Sequence, residues 1–289
     1  MFCYSRRMFV RQLAVAAALA AGAASAFAQT TRVIRLTTAD DVGIIATYYP
    51  AERDHAPAVL LLHDLKKDRS EWTDFALLLQ RNGIAALRID FRGHGESTRK
   101  LTAAGVVELK FQDFTGRDLQ NMLLDVEAAV DWLQAQSEID KEHIALVGAG
   151  FGANIALRYA ALNEDLAGVA ALSPGINDHG IRTDDVVRQL GAMPLHIFVS
   201  NDDPFAFESC KRLIEIRRES GARTVDQDLT ICTGNLHGVA MLKAVKHFPQ
   251  LLLNWCQQVS SGAPRTEPAE SSTPATPPTP SVPASPRTK

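Results

Sequence analysis

The chain has 289 residues, of which 46% are hydrophobic and 22% charged, and its formal net charge is −3. This composition is typical of a soluble globular protein and indicates neither a nucleic-acid-binding protein nor one that binds membrane surfaces. A chain of this length buries enough apolar surface to fold without disulfides or bound metal.

The first 28 residues have the pattern of an export signal. The stretch Ser5 to Arg11 contains a pair of arginines and resembles the bacterial twin-arginine signal, and Leu13 to Ala24 is an Ala-rich apolar run. Ala26-Phe27-Ala28 supplies a small-x-small cleavage site, so we expect Gln29 to begin the mature chain. An ordinary general secretory signal with a chance arginine pair is the alternative. By either route the protein is exported to the periplasm or secreted, with no membrane anchor after cleavage.

From Thr31 onward, apolar runs of strand length alternate with helical patterns. The predicted strands are Val33–Thr37, Gly43–Tyr49, Ala58–Leu62, Ala85–Ile89, Ile144–Val147, Ala167–Leu172, Leu195–Ser200 and Asp228–Cys232. Predicted helices are Trp72–Leu79, Leu119–Gln136, Ala153–Leu162, Phe205–Ser220 and Val239–Val259. The first two strands flank a turn and form an antiparallel pair. The rest predict an α/β fold over residues 30–261, with a mostly parallel eight-stranded sheet and helices on both faces.

Two stretches between these elements, Arg99–Arg117 and Gly175–Met193, are long enough to carry an insertion. Both are too short to form a large cap domain. We therefore expect little or no cap, with at most a small lid from Asp184 to Leu190. Residues 262–289 hold more than half of the chain's 14 prolines among Ala, Ser and Thr. We expect them to form a disordered tail, because such a segment cannot bury enough apolar surface to offset its ordering entropy.

The stretch Ile144–Leu157 passes from an apolar strand through glycines directly into a helix. Gly148, Gly150 and Ala153 meet the dinucleotide-binding pattern G-x-G-x-x-G/A, and the same stretch meets the nucleophile-elbow pattern G-x-S-x-G except at its centre. The nucleotide interpretation needs a carboxylate about 20 residues later, at the end of the next strand. That strand ends Ala171-Leu172-Ser173-Pro174, without one. Nucleotide binding therefore stays a remote alternative.

Two further strings resemble the α/β-hydrolase fold family, close to its monoacylglycerol-lipase and serine-aminopeptidase branch. They are Leu60-Leu61-Leu62-His63-Asp64-Leu65 and Ile89-Asp90-Phe91-Arg92-Gly93-His94-Gly95-Glu96-Ser97. The resemblance implies a triad in the order nucleophile, acid, base. On this chain those positions are Gly150, Asp203 and His237, and Asp203 fits the acid better than Asp202 by its spacing from the strand. The nucleophile position therefore carries no nucleophile.

The same resemblance implies an oxyanion hole made by the backbone N–H groups of Leu65 and Phe151. Asp64 replaces the family's usual glycine, and its carboxylate would oppose negative charge that develops beside this hole. Alternatively, Asp64 points to solvent and pairs with Lys66 or Lys67. Ser173, at the end of the neighbouring strand, is the nearest other nucleophile by topology. The eight histidines are scattered without metal-ligand spacing, so we expect no metal and no cofactor.

Three functions follow from these residues. The first is an exported α/β-hydrolase relative that has lost serine-dependent hydrolysis and keeps a pocket for a small-molecule ligand. The second is an active hydrolase in which His237 and Asp203 activate water against a carboxylic ester, lactone or peptide. The third is nucleotide binding at the glycine turn. Whether the chain is an enzyme, and which protein partner it has, the sequence does not decide.

Overall fold

In a computed structural model, the described parts of the chain are residues 30–221 and 228–261. The predicted signal peptide, residues 1–28, and the predicted tail, residues 262–289, lie outside the described residues.

A ten-stranded sheet forms the centre of the described residues. Its strands are β1 Arg32–Thr37, β2 Val42–Tyr49, β3 Ala56–Leu62, β4 Ala85–Ile89, β5 Arg99–Thr102, β6 Gly105–Glu108, β7 Ile139–Ala149, β8 Gly168–Leu172, β11 Leu195–Ser200 and β12 Leu229–Cys232, while β9 Asn177–Asp178 and β10 Ile181–Arg182 form a separate hairpin. The order in the sheet is β12-β11-β8-β7-β3-β4-β2-β5-β6, with β1 also paired to β2. The contacts from β4 through β3, β7, β8 and β11 to β12 are parallel, whereas β1, β2, β5 and β6 pair antiparallel. The prediction of a mostly parallel sheet is confirmed.

The sheet has ten strands, whereas eight were predicted, because one hairpin was missed. All eight predicted strands are present, and β5 and β6 add two more from the stretch expected to be an insertion. Each has four residues, and their apolar side chains, such as Leu101 and Val106, are exposed. Strands this short, with apolar residues facing solvent, lack the burial pattern that marks a core strand.

Helices cover both faces of the sheet, as expected. They are α1 Thr73–Arg81, α2 Gly116–Gln120, α3 Met122–Ala135, α4 Phe151–Ala160, α5 Pro204–Glu219, α6 Ala240–Ala244 and α7 Phe248–Ser260, and there are short 3-10 helices at Arg69–Trp72 and Phe111–Asp113. Residues of α3, α4 and α5 pack into one apolar core and residues of α1 and α7 into a second.

Two predicted helices are each broken into two. The first breaks at Asn121, between α2 and α3. The second breaks because Val245 is extended and Pro249 lies in the first turn of α7, where its missing N–H costs nothing.

Neither stretch predicted to carry an insertion forms a separate cap in the described part of the chain. The segment from Gly175 to Met193 is held on α4 by the buried Asn154, whose Nδ2 donates to the carbonyls of Gly175 and Ile181. Val187, in the middle of the stretch predicted as a lid, is fully buried in the core. That stretch is therefore packed as part of the domain.

The string that begins at Asp90 forms a turn after β4. The Asp90 carboxylate accepts the backbone N–H groups of Arg69 and Glu96, and Ser97 Oγ donates to the Asp90 carbonyl while accepting from Ile45 N. A Cβ on Gly95 would lie 2.2 Å from Asp90 Oδ2, so only glycine fits. The motif is a structural turn beside the site.

The parallel strands all end at one edge of the sheet, which gathers the residues that follow them. Asp64 follows β3, Gly150 follows β7, Ser173 follows β8, Asp203 follows β11 and His237 follows β12.

Candidate active site

The turn between β7 and α4 has the sharp geometry of a nucleophile elbow. Gly150 lies there at φ +51 and ψ −119, a conformation that is strained for residues with a Cβ. A Cβ on Gly148 would lie 2.3 Å from the Gly152 carbonyl oxygen, and one on Gly152 would lie 2.4 Å from the His63 carbonyl oxygen. Gly148 and Gly152 therefore permit a close approach of backbone to backbone.

The side chain of Asp64 fills the place in which a serine at position 150 would lie. Its Oδ1 accepts hydrogen bonds from Leu65 N at 2.7 Å and from Phe151 N at 2.8 Å, the two N–H groups predicted to form the oxyanion hole. A Cβ on Gly150 would lie only 2.1 Å from the same oxygen. Asp64 thus points into the site, and the two donors already hold a protein carboxylate.

The backbone of Asp64 is fixed from two sides. The buried His63 ring accepts Phe91 N at Nε2, so Nδ1 carries the proton and donates to the Asp64 carbonyl at 2.7 Å. Burial lowers the pKa of His63 to about 3, which keeps this ring neutral. On the other side, Asp64 N donates to Glu71 Oε1 at 2.8 Å.

Glu71 connects Asp64 to a small cavity. Its carboxylate is largely buried, and burial raises its pKa to about 7 although the bond from Asp64 N opposes the shift. The cavity has a volume of about 80 Å³ and is lined mainly by apolar side chains, namely those of Phe75, Leu78, Val239, Leu242 and Pro249, with Glu71, Asp74 and Lys243 at its polar positions. Val239 comes two residues after His237, so the cavity adjoins the candidate site.

The structure brings Asp203 and His237 into direct contact. Asp203 Oδ2 lies 2.5 Å from His237 Nδ1, and Asp203 Oδ1 accepts Ala206 N at the start of α5. An ionised carboxylate only accepts hydrogen bonds, so Nδ1 carries the proton and Nε2 faces away from Asp203. The hydrogen bonds with Ala206 N and His237 Nδ1 together fix the carboxylate of Asp203, whose side chain is 12% exposed. The catalytic roles of the two residues remain predictions.

The ring edge of His237 that carries Nε2 is directed at Asp64. His237 Nε2 lies 3.8 Å from Asp64 Oδ2, the oxygen that the backbone N–H groups do not hold. The side chains of His237 and Asp64 are 45% and 23% exposed, so both reach solvent. The result is a row of carboxylate, imidazole and carboxylate in the order Asp64, His237, Asp203.

Ser173, the other nucleophile considered from the sequence, is engaged in holding the histidine loop. It is buried, and its Oγ accepts Gly238 N at 3.0 Å. Ser173 adopts φ +53, which few residues with a Cβ adopt. Its place beside the residue that follows His237 suits it to positioning that loop.

Sequence patterns did not reveal two features of this site. One is the direction of the Asp64 side chain, because a single Asp after a strand can face solvent or the site. The other is Glu71, which lies in the 3-10 helix between β3 and α1 and contacts Asp64 N because of the path that this helix takes. Over residues 30–221 and 228–261, no three His, Cys, Asp or Glu side chains are grouped to hold a metal ion, and no helix has the length and apolarity to cross a membrane.

Comparison with known proteins agrees with the fold. The family model described as serine aminopeptidase, S33, matches residues 53–206, just over half of the chain. The chain belongs to this serine aminopeptidase family. The turn of this family member reads Gly148-Ala149-Gly150-Phe151-Gly152, with a glycine at its centre.

Curated relatives of this S33 family member are distant. An uncharacterized protein of Mycobacterium tuberculosis is 28% identical over 127 residues, covering 44% of this chain and 40% of the relative. The polyketide transferase GrgF of Penicillium is 28% identical over 149 residues, which is 51% of this chain and 46% of the relative. The chain thus matches less than half of the length of these two relatives.

Solved structures show the same fold over most of the chain. The α/β hydrolase GrgF from Penicillium superimposes with a TM-score of 0.65 at 15% identity, covering 80% of this chain and 99% of that one. An esterase of Pyrococcus furiosus gives 0.60 at 17% identity, with 79% and 90% covered. A dienelactone hydrolase of Anabaena variabilis gives 0.61 at 18% identity, with 79% and 97% covered.

Proposed function

We propose that this member of the S33 family has lost serine-dependent hydrolysis and binds a small organic molecule at the site formed by Asp64, His237 and Asp203. The observation that carries the proposal is the position of the Asp64 carboxylate. Its Oδ1 takes both N–H groups of Leu65 and Phe151 and lies where a serine Cβ at position 150 would clash.

Loss of the serine removes the covalent step. Without an Oγ at position 150, His237 has no hydroxyl to deprotonate and no acyl-enzyme forms there. Asp64 removes the second requirement, since the donors that would stabilise a substrate oxyanion are already paired with a negative oxygen. The two replacements are consistent with each other, because the carboxylate fits only when position 150 has no side chain.

The same observation weighs against hydrolysis of esters, lactones or peptides by water that His237 and Asp203 activate. A tetrahedral intermediate on such a substrate would carry its negative charge beside the Asp64 carboxylate instead of beside free N–H donors. The geometry of His237 and Asp203 would allow the pair to activate water. The negative charge that this reaction would create on the substrate is, however, not stabilised.

Nucleotide binding is less favoured still. A dinucleotide would place its pyrophosphate at the N-terminus of α4, where a helix attracts anions. Asp64 Oδ1 already accepts Phe151 N, the first N–H of that helix. A phosphate at the same place would meet a carboxylate instead of free donors.

A small organic ligand is supported by the site and by its relatives. The apolar cavity beside Glu71 and Val239 adjoins the row of Asp64, His237 and Asp203, and its volume of about 80 Å³ has room for one small apolar group of a ligand. The similar proteins include a polyketide transferase, an esterase and a dienelactone hydrolase.

We also propose that the protein is exported, with cleavage before Gln29. The support is the arginine pair, the apolar run and the Ala26-Phe27-Ala28 site. In the periplasm or outside the cell, the domain would meet small molecules from the surroundings.

A direct test uses the purified mature protein with a fluorophosphonate probe and a panel of esters and lactones. We expect no labelling and no turnover in the wild type, and we expect some of these compounds to raise the melting temperature by binding. The melting-temperature rise should fall in His237→Ala. Turnover that His237→Ala abolishes would establish the water-activating alternative, and labelling that Ser173→Ala abolishes would make Ser173 the nucleophile.

A further inference from the structure

Asp64 and His237 present two hydrogen-bond acceptors to each other. Oδ1 of Asp64 accepts the N–H groups of Leu65 and Phe151, so the carboxylate is fixed and Oδ2 has a defined direction. The proton of the neutral His237 ring lies on Nδ1, against Asp203, which leaves a lone pair on Nε2. Nε2 lies 3.8 Å from Asp64 Oδ2. While the ring is neutral, this contact joins two acceptors and includes no donor.

The same row of side chains carries more negative than positive charge. Among residues 30–221 and 228–261, His237 is the only side-chain cation within 4.0 Å of Asp64 or Asp203. Two carboxylates therefore share one imidazole, and their summed charge is negative whether or not the ring is protonated. A site with one sign of charge raises the local concentration of ligands with the opposite sign. The row therefore attracts a cation.

We infer that the bound ligand is a small primary amine in its ammonium form, held between Asp64 Oδ2 and His237 Nε2. The inference rests on the proposed function, because it uses the same small-molecule site and requires that position 150 has no side chain. It goes beyond that function by naming the chemical group that is bound. One N–H of the ammonium donates to Oδ2, a second donates to Nε2, and the third faces solvent, to which both side chains are partly exposed.

The distance between the two acceptors suits a single nitrogen that carries two donors. Because Oδ2 and Nε2 are 3.8 Å apart, a nitrogen about 2.8 Å from each would form two hydrogen bonds about 85° apart. Each N–H then points within about 12° of its acceptor, which is inside the range of ordinary hydrogen bonds. The bond to the carboxylate joins two opposite charges, and such bonds are roughly twice as strong as neutral ones.

Other cations fit these two atoms less well. A guanidinium binds best to both oxygens of one carboxylate, and Oδ1 of Asp64 already accepts two backbone N–H groups. A quaternary ammonium has no N–H and is bound through the faces of aromatic rings. A metal ion needs more protein ligands than these two atoms, and no three His, Cys, Asp or Glu side chains of the described residues are grouped to hold one.

The test titrates the mature wild type with n-butylammonium chloride in a calorimeter and compares two analogues of the same chain length. The n-butyltrimethylammonium ion keeps the charge without any N–H, and n-butanol keeps one donor without the charge. We expect both to bind more weakly than n-butylammonium, by roughly 10-fold or more. The nitrogen resonances of the His237 ring, followed by NMR in the same titration, should shift with n-butylammonium.

A matched pair of variants locates the bound ammonium. Asp64→Asn keeps an oxygen for the two backbone N–H groups but removes the charge and places an amide N–H₂ beside His237 Nε2. It should weaken n-butylammonium binding by roughly 10- to 100-fold. Asp202→Asn removes an exposed carboxylate next to Asp203 and serves as the control for a general loss of negative charge. It should change the affinity by about 5-fold or less.

Three results would each overturn the inference: no binding of n-butylammonium, equal binding of n-butyltrimethylammonium, or no shift of the His237 resonances at saturation. Equal losses in Asp64→Asn and Asp202→Asn would also overturn it, because the ammonium would then respond only to the general field. With no fluorophosphonate labelling of the wild type and a melting temperature still raised by the esters and lactones, the proposed function would stand without the inference. Labelling of the wild type would contradict the proposed function, whatever the amine titration gives.

Discussion

Phe151 N donates a 2.8 Å hydrogen bond to Oδ1 of Asp64, a residue 87 positions earlier in the chain. This bond joins the end of β3 to the first turn of α4 across the centre of the site. The position that a serine side chain would take at Gly150 is the position that this carboxylate occupies. A side chain at position 150 and the carboxylate of Asp64 therefore compete for the same space, and this competition can be measured.

A Cβ at position 150 should destabilise the protein more when Asp64 is present. In the Asp64→Gly background, Gly150→Ala should cost only the backbone strain, roughly 1–3 kcal/mol of unfolding free energy. In the wild type it should also displace the carboxylate from two hydrogen bonds, which predicts a coupling of about 0.5–3 kcal/mol. Urea unfolding of the four proteins measures it. Equal costs in both backgrounds would show that the carboxylate and position 150 do not compete for space.

Ser173 should matter for stability, because its hydroxyl satisfies a buried N–H. Ser173→Ala keeps φ +53 and leaves Gly238 N without its acceptor, which should cost about 1–3 kcal/mol of unfolding free energy. Ser173→Gly loses the same bond but relieves the strained φ, so it should cost less than Ser173→Ala. Denaturant unfolding of both variants checks the order. A reversed order would show that the strain at Ser173 is negligible.

Much of the fold could be predicted because its signals are local. The apolar run Ala58–Leu62, the turn at Asp90 to Ser97 and the glycines around Gly150 each determine a piece of backbone from neighbouring residues. The pair of Asp203 and His237 was expected from the order of acid and base that the family resemblance implies, and the structure shows that both follow adjacent parallel strands. The β5–β6 hairpin and the breaks before α3 and α7 were missed, since short exposed strands and helix interruptions carry weak periodicity.

The orientation of Asp64 could not be predicted for a different reason. Leu65 N lies beside it in sequence, whereas Phe151 N lies across the sheet, and only the folded chain brings the two donors to one oxygen. Glu71 likewise reaches Asp64 N through a turn whose path the residue pattern does not specify.

Glu71 should make stability fall as pH rises through the weakly acidic range. Burial raises its pKa from 4.5 to about 7 in the folded protein, so between these values the folded state holds a proton that the unfolded state has released. Stability from this group is present below pH 4.5 and is lost as pH approaches 7. Glu71→Gln keeps an acceptor for Asp64 N and does not titrate. Its stability relative to wild type should rise by on the order of 1–3 kcal/mol from pH 4.5 to pH 8.

Unfolding free energies at several pH values measure the difference between wild type and Glu71→Gln. Asp74→Asn removes a more exposed carboxylate on the same cavity and is the control for loss of one negative charge there. A flat profile for Glu71→Gln would mean that Glu71 titrates at its ordinary pKa.

Replacement of Arg6 and Arg7 by lysine should retain the precursor in the cytoplasm, because the arginine pair is the feature by which this segment resembles a twin-arginine signal. Fractionation of cells that express the wild type or the lysine form measures where each protein is located. Full export of the lysine form would assign the signal to the general secretory route.

The most direct measurement is fluorophosphonate labelling of four forms of the mature protein. We expect none in the wild type, and none in Gly150→Ser alone, because the new side chain meets Asp64 Oδ1 and the N–H donors remain occupied. Asp64→Gly combined with Gly150→Ser frees the donors of Leu65 and Phe151 and places a hydroxyl beside His237, so the new serine at position 150 should be labelled through the restored triad. Adding His237→Ala to that double variant should abolish the labelling. Labelling of the wild type, or equal labelling of Gly150→Ser with and without Asp64, would contradict the central claim that the Asp64 carboxylate has replaced the serine.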